Sequence, residues 1–256
     1  MEATRRIQTL RADDGLFRAA ANRDKQALEH FLEDYPGHHR EAEARSLLRS
    51  GDVGPQDITS LVDGKKIEFR AKGAGIDSVN IQIRRRANHI LIVRILPGVL
   101  FVPRRDAAQT MIGTEQRDTW LEGPDWVSVD VPVACTNLAK YPPDSEDAMQ
   151  VRRATNAELE AIAPRLARVS VATRQAAIWI VTDNANYAAL GKLVTGPFGA
   201  GGRVIDEDHA AEAMRLCESN GINIHKRAIW RDRSRISRGL KSAELRQWLE
   251  KASTEK

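Results

Sequence analysis

Apolar positions at three- and four-residue spacing open the chain. Leu16, Phe17 and Ala20 are followed by Leu28, Phe31 and Leu32, a period that predicts helix. Pro36-Gly37 interrupts the run, and a further helix is expected over about 39–48, ended by Ser50-Gly51. Residues 1–50 therefore read as a helical hairpin with an apolar face that must pack on something. After the loop GDVGPQD the period changes to two. Ile67 and Phe69, then Val79, Ile81 and Ile83, then Ile90 and Ile92, then 99–102, then Val127, Val129, Val131 and Val133 predict strands. Asp63-Gly64, Pro97-Gly98 and Gly123-Pro124 supply turns between them. About seven or eight such strands point to an antiparallel β-sandwich or partly open barrel over 56–154.

From Thr155 the helical period returns. Thr155 or Asn156 suits an N-cap, and Leu159, Ile162, Leu166 and Val169 form the stripe. Further helices are expected over about 174–181, 187–194, 207–219 and 242–252. The chain is expected to be α+β, with a helical hairpin at 1–50, a β half at 56–154 and a helical half at 155–256.

The chain has 256 residues, of which 42% are hydrophobic and 29% charged, so it can bury a core and is no disordered tail. Its longest apolar runs, such as 90–93 and 176–181, fall far short of a bilayer span of roughly 20 residues. No membrane partner is expected. Charges at Arg5, Arg6, Arg11, Asp13, Asp14 and Arg18 interrupt any export signal, so a cytoplasmic location is expected. Cys135 and Cys217 are too few for a disulfide framework. His38 and His39 are adjacent while His30, His89, His209 and His225 are scattered, and neither a metal site nor a cofactor is expected. A net charge of +4 favours anionic partners only weakly.

The residues that bear chemistry concentrate in VPVACTNLAKYPP, 131–143, and RQAAIWIVTDNA, 174–185. The first puts Cys135 at a strand end and the second puts Gln175 at a helix start. Gln175, Ala177, Ile178 and Trp179, with the strand-end cysteine, resemble the thioester domains of bacterial surface proteins. The resemblance implies that the Cys135 thiolate attacks the Gln175 amide carbon, that ammonia leaves, and that the internal acyl electrophile captures a partner's nucleophile. Ala134, Thr136 and Arg174 depart from that family's pattern. Asp183 and Asn184 follow the same helix and join Trp179 as candidate binding residues. The segment 27–48 resembles one helical unit of tetratricopeptide-like repeats, of the kind found beside caspase-like peptidases.

Three weaker signals remain. Gly196, Gly199, Gly201 and Gly202 precede a helix start, but Asp206, Glu207 and Asp208 place negative charge where a phosphate would lie. Basic residues cluster at Arg84, Arg85 and Arg86 and again over 226–238, where Arg227 and Trp230 are candidate contacts to nucleic acid. Cys135 with His209 or His225 would form a nucleophile pair for a Cys-dependent acyl transferase. The leading expectation is a binding or effector module in a multi-component bacterial system, engaging a protein partner through residues 1–50 and the join of the two halves near Cys135 and Gln175. A thioester-forming protein is the alternative, and nucleic-acid binding is a minor one.

Overall fold

A computed structural model describes residues 2–51, 54–193 and 202–254. The fold is α+β, as the periods predict: helices lead, strands occupy the middle and helices close the chain. The chain divides into two compact units. The first comprises Met1–Arg70, Ile81–Ile95 and Gln116–Val129, and the second comprises Ala71–Asn80, Leu96–Glu115 and Asp130–Lys256.

Three helices, not two, open the first unit: α1 (Glu2–Asn22), α2 (Lys25–Asp34) and α3 (Glu41–Ser50). The expected first run is broken at Arg23, whose φ of 58° is left-handed, and restarted by Asp24, whose carboxylate accepts the Ala27 N–H at 2.9 Å. An arginine in that conformation gives no sequence warning, because the position usually falls to Gly or Asn. The apolar stripe does find its partner. Leu16, Leu28, Phe31, Ala44 and Leu47 form one buried cluster with Ile90, and Phe17 and Trp120 pack against it. Phe17 and Trp120 meet edge to face with centroids 5.4 Å apart. Ile90 directly precedes β4 (Leu91–Ile95) and Trp120 lies on β7 (Arg117–Leu121), two strands of a three-stranded sheet completed by β1 (Pro55–Asp57) in the order β1-β4-β7. Here β1 runs parallel to β4, and the Arg94–Asp118 pair across β4 and β7 is bidentate at 2.8 and 2.6 Å. The short helix α4 (Ile58–Asp63), capped by Asp57, is too brief to have shown a period.

A second, six-stranded sheet has the order β2-β3-β8-β6-β5-β9. Its strands are β2 (Ile67–Gly73), β3 (Ser78–Arg85), β5 (Leu100–Pro103), β6 (Met111–Gly113), β8 (Val127–Cys135) and β9 (Met149–Arg152). In the second unit β8 pairs antiparallel with β6, and β5 lies between β6 and β9. Gly73 ends β2 because nothing larger fits: a Cβ there would lie 2.7 Å from the Pro143 and Asp144 backbone. Gly73→Ala is expected to lower stability by about 1–3 kcal/mol in urea unfolding, since the neighbour that must move is main chain.

The helices of the second unit begin near the expected positions, but the stripe expected from Leu159 to Val169 is α-helical only to Ile162 and continues as a 3-10 helix, and the helix over Arg233–Gly239 was not expected. Asn156 caps α5 (Ala157–Ile162), and Asp206 caps α8 (Glu207–Ser219). Ser170 caps α6 (Val171–Thr182), which begins three residues before the expected start and buries every residue from Ala172 to Val181. A helix buried on all sides belongs in an interior, and its buried Thr173, Arg174 and Gln175 need partners there. Helix α7 (Tyr187–Leu190) is shorter than expected, and α9 (Arg233–Gly239) and α10 (Ala243–Thr254) complete the unit. The glycine-rich segment 196–203 lies outside the described residues except for Gly202 and Arg203. Among the described residues no helix is long and apolar enough to cross a membrane.

Candidate functional site

Cys135 and Gln175 meet, forty positions apart, inside the second unit. Strand β8 explains how. The Val133 N–H donates to the Asp77 carbonyl at 2.9 Å, just before β3 begins. Cys135, two residues on, turns its peptide groups to the same edge, because hydrogen-bonding directions alternate along a strand. Gln175 serves that edge. The Cys135 N–H donates to Gln175 Oε1 at 3.0 Å, and Gln175 Nε2 donates to the Cys135 carbonyl at 2.7 Å. A side-chain amide thus stands in for a neighbouring peptide. Cys135 and Gln175 are only 3% and 4% exposed, so water cannot substitute.

Arg174, beside it on α6, makes a second connection. Its Nε donates to the Leu166 carbonyl at 3.0 Å and its Nη1 to Thr114 Oγ1 at 2.9 Å, with Glu115 at 3.8 Å. Thr114 Oγ1 in turn donates to the Pro132 carbonyl on β8 at 3.1 Å. Adjacent side chains of α6 therefore tie the helix to β8 and to the chain just beyond β6.

The Cys135 sulfur lies 3.8 Å from the Ile76 carbonyl. Burial, and then the charge of Asp77, push its thiol up to about 12; burial takes Cys217 to about 12 as well. A nucleophilic cysteine needs the opposite shift, toward thiolate at neutral pH. Neither thiol should react with a disulfide reagent at pH 8 in the native chain, and two should react in denaturant; a rapidly labelled native thiol contradicts the burial. Because the folded thiols are raised above the ordinary value of 9.0, their contribution to stability is complete below pH 9 and falls away as pH rises toward about 12. Urea midpoints measured from pH 8 to 11 should therefore decline.

The other predicted residues fasten the same unit. Asp183 accepts the Leu138 N–H at 3.1 Å, and Asn184, at φ 50°, accepts the Ala228 N–H at 2.8 Å. Trp179 is buried, its Nε1 without a hydrogen-bond partner. Arg227 pairs with Glu158, while Trp230 packs on His225 at 4.3 Å and lies under Arg233 at 5.2 Å. His209 closes the α8 capping box with Asp206, and His225 faces Glu218 at 3.5 Å. Much of the basic segment 226–238 is thus engaged in internal contacts.

The first unit holds a cleft that the periodicity of the sequence does not announce. The triplet Arg84-Arg85-Arg86 splits by strand alternation. Arg85 turns to the Glu122 carbonyl at 2.7 Å and the Gly123 carbonyl at 3.1 Å. Arg84 and Arg86 instead share Glu68, at 2.8 and 3.4 Å. The guanidiniums of Arg70 and Arg84 lie over the Trp126 ring, 4.3 and 4.8 Å from its centroid. The cleft measures about 380 Å³, and Lys65, Arg70, Arg86 and Trp126 are among its lining residues. Among the described residues Glu68 is its one lining acid, held below the usual carboxylate range by its hydrogen bond from Arg84. Residues 68, 70 and 84 on two paired strands, with Arg86 just beyond the second, share even numbering, the signal that could have revealed them; Trp126 carried no such mark. Comparison with known proteins supplies no relative for either site, since no family model, curated protein or solved structure matches the chain.

Proposed function

We propose that the chain is a binding module, that its cleft around Trp126 takes single-stranded nucleic acid, and that Cys135 and Gln175 form a structural clamp. The observation that carries the binding reading is the pair of guanidiniums stacked on Trp126 beside Lys65 and Arg86, with one acid among the described lining residues. Cations that neutralise phosphates, next to an aromatic or guanidinium plane on which a base can stack, are what an unpaired strand requires. The apolar residues of α1, α2 and α3 are buried mainly against one another, with Ile90 and Trp120 packed on them, so among the described side chains the helices offer a protein partner mainly a polar outer side.

Thioester formation would draw on the same Cys135 N–H, which polarises the Gln175 carbonyl. It also needs a thiolate and a departing amide nitrogen. Burial opposes the first, and the bond to the Cys135 carbonyl engages the second.

Fluorescence anisotropy with a labelled single-stranded oligonucleotide tests the binding reading. Affinity should fall steeply between about 50 and 200 mM salt, because bound phosphates release counterions. Arg70→Ala combined with Arg86→Ala should weaken binding about tenfold or more and flatten the salt dependence, whereas Arg231→Ala should do neither. Absence of binding at low salt, or binding indifferent to the cleft variants, overturns the reading.

A further inference from the structure

We propose a divalent metal site, of a kind suited to zinc, formed by Asp13 with His38 and His39 in the first unit. Asp13 lies on α1, and the two histidines lie in the loop between α2 and α3, where Gly37 at φ 74° turns the chain after Pro36. One donor atom from each of the three residues falls within 4.8 Å of the others. Asp13 Oδ1 is 3.7 Å from His39 Nε2 and 3.9 Å from His38 Nε2, too long for hydrogen bonds.

The independent observation is that Asp13 Oδ1 and His38 Nε2 are buried atoms with no hydrogen-bond partner. Buried polar atoms are rarely left so: the Asp13 oxygen is a buried acceptor that calls for a donor or an ion, and the His38 nitrogen becomes a second ligand once its proton moves to Nδ1. The His38 side chain is 9% exposed and its ring packs edge to face on Phe31 at 5.3 Å, which fixes its direction. His39, 61% exposed, gives entry from solvent.

The geometry suits the ion. Zinc bonds to imidazole nitrogen and carboxylate oxygen are about 2.0–2.2 Å, so tetrahedral donors sit roughly 3.3 Å apart. The donor atoms, within 4.8 Å of one another and 3.7 and 3.9 Å from Asp13 Oδ1 to the two imidazoles, must draw together to that separation, a movement that falls mainly to the exposed His39 and to Asp13. Two imidazoles and one carboxylate complete three positions, and water takes the fourth. Arg40, the nearest cation in sequence, is held by Glu43 at 2.7 Å, which offsets its charge. The Arg40 N–H donates to His38 Nδ1 at 3.2 Å, which places the neutral ring's proton on Nε2. Coordination through Nε2 moves that proton to Nδ1 and gives up the Arg40 bond. The ion would staple α1 to the loop between α2 and α3, so its binding would stabilise the folded unit.

The test uses the full, untagged chain stripped of metal with a chelator. Titration with zinc, followed by calorimetry and thermal melting, should give one ion per chain and a raised melting temperature. Cobalt should give the visible absorption of a low-symmetry site with nitrogen and oxygen donors. His39→Ala, at an exposed position, and Asp13→Asn, of equal shape, should each weaken zinc binding at least tenfold while leaving the chelated protein's melting temperature within a degree or two. No stoichiometric binding of zinc or cobalt overturns the proposal. Binding that survives both substitutions unchanged does so too, because the ion would then sit elsewhere.

Discussion

Gln175→Ala is expected to cost about 3–5 kcal/mol of stability, whereas Cys135→Ala costs no more than about 1–2 kcal/mol. The asymmetry follows from which atoms bond. Removing the carboxamide strands the Cys135 N–H and carbonyl in a site where neither partner is exposed, and each buried orphan costs about 1–3 kcal/mol. Removing the sulfur deletes a small buried group that behaves as a hydrophobe and leaves both backbone bonds intact. Gln175→Met, which keeps the volume and loses both bonds, should fall close to Gln175→Ala. Equilibrium urea unfolding gives all three values. Equal losses for Cys135→Ala and Gln175→Ala would contradict the account that the stability resides in the two backbone bonds.

Arg174→Ala is expected to be as damaging, at about 3–5 kcal/mol, because it breaks a buried charged network by removing one member. The Leu166 carbonyl and Thr114 Oγ1 each lose a donor, and Glu115 loses the guanidinium 3.8 Å away. Burial lowers the pKa of Arg174 despite Glu115, so the desolvation of its guanidinium outweighs that nearby charge. Arg174→Lys should recover little, since an ammonium cannot reproduce the fork that reaches Leu166 and Thr114 together. A loss below about 1 kcal/mol for Arg174→Ala, again by urea unfolding, would show that α6 is held to β8 by apolar packing alone.

The legible parts of this fold were those governed by local rules. Helix α8 appears within its expected bounds because Asp206 caps it and its apolar residues keep one period. Strand β8 declared itself by four valines on alternate positions. Features set by distant partners stayed hidden. Nothing near Pro55–Asp57 in sequence foretells a parallel pairing with β4, and the left-handed Arg23 has no signature. The meeting of Cys135 with Gln175 was anticipated from a strand end and a helix start. That the amide would bind the cysteine's backbone was not, because a resemblance carries residue types rather than hydrogen-bond directions. Trp126 reaches Arg70 and Arg84 through sheet pairing, and Asp13 reaches His38 and His39 through helix packing, so strand alternation could group the arginines but no spacing ties Trp126 or Asp13 to its partners.

The most direct measurement is the intact mass of the untagged, natively purified chain. A structural clamp leaves both side chains whole, so the mass should equal that of the sequence, unchanged apart from the substitution itself in Cys135→Ala and Gln175→Ala. A deficit of about 17 Da, the loss of ammonia on acylation of the thiol, that vanishes in either variant would contradict it and make the pair a reactive bond.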